Sequence, residues 1–163
     1  MRDRIHFTTL KPILAGALLL GTGALAHGHH SFAGFDKSRV LVLTGMVTSY
    51  KPHPNHAEFA FVPLNPDHTG LQQDAQGNPL AWQVELEYGA ALAARDDRIT
   101  DGTFRKGTLV SVALHPMMNG DRKGARVGPI IRCPGNKPPQ PGKHCDSVDG
   151  HVVHGEGRLA TPQ

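Results

Sequence analysis

Three of the chain's 11 histidines fall within four positions, in the stretch His27-Gly28-His29-His30-Ser31-Phe32. If the polypeptide begins at His27, a free amine stands two residues before the His29 imidazole. The amine, two deprotonated backbone amides and that imidazole then supply four nitrogens in a plane, the tetragonal donor set that suits copper(II) or nickel(II). Gly28 lets the backbone wrap tightly without a Cβ, and His30 offers a further ligand. His53 and His56, three apart in Lys51-Pro52-His53-Pro54-Asn55-His56, are a second candidate pair. The metal candidates are therefore His27, His29, His30, His53 and His56. His115-Pro116-Met117-Met118 would offer softer imidazole and thioether donors, although methionines at such a place more often fill a barrel mouth. His144, His151 and His154 lie in the tail.

The N-terminal site depends on what precedes it. Arg2, Arg4 and Lys11 stand ahead of the apolar run Pro12 to Leu20, and Ala24-Leu25-Ala26 follows. A basic start, a short apolar core and an Ala-x-Ala site make a secretory signal over residues 1–26, and the run is too short to span a bilayer. The expectation is a bacterial protein exported to the periplasm, starting at His27, with no stable membrane anchor after cleavage. Removing the signal turns the formal charge of +3 into 14 basic against 13 acidic residues. That near-neutral balance gives no electrostatic case for nucleic acid or for a polybasic membrane contact. Cys133 and Cys145 lie in an oxidising compartment on this reading, so a disulfide closing the Pro/Gly-rich loop between them is expected.

The enzyme signatures are missing. The chain has no Gly-x-Ser-x-Gly elbow, no His-Glu-x-x-His helix and no phosphate-cradling glycine loop. His56-Ala57-Glu58 has the His-x-Glu spacing of zinc deaminases without their Pro-Cys-x-x-Cys partner. Glu85 and Glu87 share a strand face and read as its solvated side. No catalytic residues are assigned; the expectation is a non-enzymatic binding protein. Its ligand is copper or nickel at the N-terminus or, as the alternative, a periplasmic protein or small ligand on the folded domain.

The elements that must carry these residues are mostly strands. Val40–Tyr50 is rich in β-branched residues, with Gly45 expected to mark a bulge or bend. Ala57–Val62 pairs back on it as a hairpin, and Pro63–Pro79 is a long polar loop. Leu80–Tyr88 alternates, with Leu80, Trp82, Val84, Leu86 and Tyr88 on one face. Gly89–Arg95 is a short alanine-rich helix, and Thr108–Leu114 and Ala125–Ile131 are the last strands. Three strands, a short helix and two strands fit an all-β, OB-like Greek-key barrel of about five strands. The lead-in covers residues 27–38, the barrel 39–132 and the tail 133–163, which is expected to be loosely ordered from about Gly150.

Several of these tracts are similar to one family. They are His29-His30-Ser31-Phe32-Ala33-x-Phe35-Asp36, then Leu43-Thr44-Gly45-x-Val47, the Asn/Pro/His turn, Trp82-Gln83-Val84-Glu85-Leu86, the helix around Leu92, and Lys106-Gly107. Together, from about Ala26 to Ile131, they resemble the domain of unknown function 6152 family of small exported bacterial proteins. The family's turn usually runs Asn-Pro-His, whereas Pro54-Asn55-His56 stands here. The resemblance implies location and fold and brings no activity with it.

Overall fold

The computed structural model describes residues 32–162; His27, His29 and His30 lie outside them. The strands are β1 (Leu41–Lys51), β2 (Glu58–Pro63), β3 (Trp82–Glu85), β4 (Leu109–Pro116), β5 (Lys123–Arg132) and β6 (Val152–His154), and the helix α1 (Ala90–Asp96) lies between β3 and β4. The sheet runs β3-β2-β1-β4-β5-β6, and a parallel pairing of β3 with β5 closes the first five strands into a barrel. A three-strand meander, a helix, and a fourth strand returning beside the first make the OB-like Greek key. The fold is the all-β barrel that the strand pattern implies.

Apolar alternation builds the interior. Val47, Phe59, Phe61, Val84, Leu86, Phe104, Val112, Leu114 and Ile130 form the main core, with Trp82 and Tyr88 packed against it. Phe59 packs at 5.7 Å from Phe61 and 5.4 Å from Phe104, centroid to centroid, distances within the favourable range for tilted rings. The helix contributes Ala93, fully buried, while Leu92 stays exposed. The lead-in is tied down from Gly34 onwards. Gly34 O accepts from Met118 N–H at 3.0 Å, Asp36 N–H donates to Pro116 O at 2.8 Å, and Phe35 bridges to Met117.

Three sequence expectations change. Gly45 is not at the bulge; the register of β1 against β2 slips between Val47 and Ser49, two residues further on. Gly45 is instead where neighbouring backbone comes closest, since a Cβ there would lie 2.4 Å from Val62 O and 2.7 Å from Pro63 Cα. Second, the chain beyond Gly150 is not a loose tail. Val152–His154 forms β6, antiparallel to Ile130–Arg132 of β5, and His154 is buried. No periodicity marks a three-residue strand, so composition alone misleads there. Third, the methionines do not both fill the barrel mouth, because Met118 is 66% exposed.

The cysteines form the expected disulfide, with Cα atoms 4.9 Å apart, inside the usual span for a cystine. Both are buried in a second apolar cluster with Leu64, Leu109 and Ile131, joined by Leu71, Val148 and Leu159. The bridge therefore pins the tail to the outside of β4 and β5 as well as closing a loop.

Two stability predictions follow from this packing. Gly45→Ala should destabilise by about 1–3 kcal/mol through overpacking, read as a lowered urea midpoint with unchanged slope. Replacing both cysteines with serine should cost about 2–5 kcal/mol, and the wild-type protein should lose a similar amount when reduced.

Candidate functional site

The outer face of the barrel around β2 and β3 holds a cluster of polar side chains. Phe59, Phe61 and Val84 point inward, so the alternation of the pleat turns Glu58, Ala60, Gln83 and Glu85 outward. Glu58 and Glu85 are direct cross-strand partners, a like-charge arrangement that destabilises a sheet unless something sits between them. Lys123, at the start of β5, does so: its Nζ is 3.5 Å from Glu58 Oε1 and 3.4 Å from Glu85 Oε2. Gln83 Nε2 donates to the other Glu58 oxygen. Glu85 is only 3% exposed. The sequence reading placed it on a solvated face with Glu87. Glu87 is indeed exposed, but Glu85 faces outward beneath Lys123 and His56.

Among the described residues, His56 is the one candidate metal ligand that reaches this cluster. Its Nδ1 is 3.5 Å from Glu85 Oε1 and 3.4 Å from Leu86 O. His53 sits in the exposed turn, where its Nδ1 accepts from Asn55 N–H at 3.3 Å. Among the described residues no three His, Cys, Asp or Glu side chains gather as a metal-binding group.

Beside the cluster lies an open groove of about 510 Å³. Small residues, Ser49, Ala60 and Ala81, line it together with Lys51, Arg122 and Asp121. Among the described residues Lys51 and Arg122 join no ion pair, whereas Lys123 is shared by two carboxylates. The groove therefore offers two cations outside these ion pairs, together with Asp121, an amide and a carboxylate pair that share one lysine, an arrangement that can receive a polar group.

A second polar network joins the end of α1 to β5. Arg126 Nη1 donates to Asp97 Oδ2 at 2.5 Å and Nη2 to the Tyr88 hydroxyl at 2.5 Å, and that hydroxyl donates to Asp97. Burial, then donation to Asp97, pushes the Tyr88 hydroxyl up to about 12, so it remains a donor and not a base at neutral pH. His154 Nδ1 lies 3.1 Å from Asp97 O. Sequence reading missed this network and the Glu58–Lys123–Glu85 bridge. Tyr88 and Arg126 lie 38 positions apart and Glu58 and Lys123 lie 65 apart, so no local spacing announces these contacts.

A model of a family of unknown function, DUF6152, matches residues 17–126. The chain belongs to that family. The match takes in β1 to β4, α1 and the whole Glu58–Glu85–Lys123 cluster; it ends at Arg126, before the disulfide and β6. No curated protein and no solved structure matches the chain.

The bridge gives a prediction. Lys123→Met should leave two facing carboxylates, one of them buried, and lower stability by about 1–3 kcal/mol at pH 7, less than for a fully buried pair because Lys123 is partly exposed. Adding Glu85→Gln should restore most of the loss, measured as the coupling energy of a double-mutant cycle in urea.

Proposed function

We propose that this protein is exported to the periplasm and acts there as a non-enzymatic binding protein that holds copper(II) or nickel(II) at its mature N-terminus. The observation that carries this reading is the sequence His27-Gly28-His29 directly after Ala24-Leu25-Ala26. Cleavage after Ala26 creates, in one step, the amine and the histidine at the third position that a tetragonal nitrogen site needs. The cystine supports an oxidising compartment. His30 is the additional ligand of this reading, with His53 and His56 as further donors.

The open groove favours a second reading. The barrel would be an interaction module that takes a periplasmic protein or small ligand on the face lined by Lys51, Ala60 and Arg122. In OB-like barrels the face of the second and third strands is a common place for ligands. That is an argument from fold, and fold alone does not fix function.

The intact mass and N-terminal sequence of protein recovered from periplasm, followed by copper(II) titration, separate the two. The metal reading expects a chain starting at His27 and one tight equivalent with the visible absorption of a square-planar nitrogen complex, lost in His29→Ala. A start at another residue, or no tight copper site, sinks it. The groove reading expects binding that survives His29→Ala and is lost when Ala60→Arg fills the groove.

A further inference from the structure

The tail is held to the barrel in a way that makes its attachment depend on uncharged histidines. β6 adds little apolar burial, for Val152 and Val153 are 38% and 44% exposed. What it buries is His154, at 5% exposure, with its ring 5.5 Å from Phe104 in an edge-on contact. A carbonyl oxygen can only accept, so the contact of His154 Nδ1 with Asp97 O at 3.1 Å places the ring proton on Nδ1. Nε2 is then a bare lone pair, and it is buried with no hydrogen-bond partner among the described residues. A proton added there would charge a buried ring at a nitrogen with no hydrogen-bond partner among the described residues, and burying a charge costs far more than burying a neutral group.

The other end of the tail has the same property. Cys145 N–H donates to Ser111 Oγ at 2.8 Å, Ser111 Oγ lies 2.6 Å from Thr44 Oγ1, and Thr44 Oγ1 lies 2.9 Å from His144 Nδ1. Every proton in this chain is used if Ser111 donates to Thr44 and Thr44 donates to His144, which requires a lone pair on Nδ1. Protonating His144 reverses the chain and leaves the fully buried Ser111 hydroxyl to find another acceptor.

We propose that the tail is an acid-released strap: uptake of protons by His154 and His144 detaches β6 from β5 while the five-stranded barrel remains folded. The separation is structural. The barrel closes through β3 and β5 without β6, the disulfide retains the loop to Cys145, and Val148 and Leu159 pack on the second apolar cluster, so the part that leaves is β6 between those two anchors. The charges around each ring do not cancel the effect. The backbone of Asp97, then the Asp97 carboxylate and the backbone of Arg98, favour a charged His154, and Arg132 of β5 opposes it; Asp146 favours a charged His144, and His68 opposes it. Burial leads in both cases and holds each imidazole below its usual 6.5. A ring with a lowered value binds its proton more readily once released. The hold is therefore complete above about pH 6.5 and weakens as pH falls through the folded-state values. His154 carries its argument without His144, and the two act on one segment.

Amide hydrogen exchange on the mature protein, corrected for the intrinsic pH dependence of exchange, tests the strap. Between pH 7 and pH 5, protection of Val152–His154 should fall by about 10- to 100-fold, one to two protons' worth, while the β1–β2 and β1–β4 ladders stay protected. Unchanged protection of β6, or a loss in step with β1, would overturn the proposal. The variant His154→Asn, whose amide N–H takes the place of Nδ1–H, can still donate to Asp97 O and cannot charge, so it should keep β6 protected to lower pH. Should that variant fold poorly, NMR titration of the wild-type imidazoles decides. A His154 midpoint below 6.5 that coincides with the loss of β6 protection supports the strap, and one at or above 6.5 refutes it.

Discussion

Closure of the barrel rests on three residues. Gln83, Val84 and Glu85 pair in parallel with Lys123, Gly124 and Ala125, and without that contact the sheet is an open ribbon with β3 as a bare edge. A parallel ladder this short is weak on its own account. The side chains at the seam reinforce it. Lys123 brings the positive end of β5 to the two carboxylates that β2 and β3 set side by side, and Gly124 lets Leu114 pack where a Cβ would meet it at 2.6 Å. The same contact that places a cation between the two carboxylates permits the close approach beneath it. The groove beside the seam exists because closure brings Arg122 and Lys123 against β2 and β3.

Much of this order was legible in the sequence. β-branched runs, the Pro-rich turn and the clean alternation of Leu80–Tyr88 identify strands by their period, and the alanine-rich stretch after Gly89 stands out between them. The strands β1, β2, β4 and β5 and the helix begin and end within a few residues of those expectations; β3 is shorter than its alternating pattern, and β6 was not expected. Cys133 and Cys145 were readable because an oxidising compartment leaves few other uses for such a pair. The parts that were not legible share one physical cause. Glu85 looks solvated because its neighbours alternate, and only tertiary packing brings Lys123 and His56 over it. His154 looks like one more polar residue in a Gly-rich tail, because what buries it is Phe104, fifty positions earlier in the chain.

The candidate metal residues divide in a similar way. The argument for His27, His29 and His30 is covalent: it turns on where the chain is cut and needs no fold. The argument for His53 and His56 is spatial, and in space they face different surroundings. His53 bonds within its own turn, whereas His56 leans on Glu85 and Leu86 of the next strand. Spacing of three in a turn with two prolines does not carry the geometric meaning that the same spacing has on a helix.

The outer edge of β5 is shared between two partners. β3 takes residues Lys123 to Ala125 and β6 takes Ile130 to Arg132. Between them the strand is broken by Gly128, at φ +67°, and Pro129. An unpaired strand edge invites a strand from another molecule, and natural sheets blunt that invitation with short exposures, bulges and proline. Here the stretch that neither neighbour covers includes the one residue with no N–H to offer a visiting strand. A barrel whose last strand outruns its closing partner is in this way guarded against joining edge to edge with its own copies.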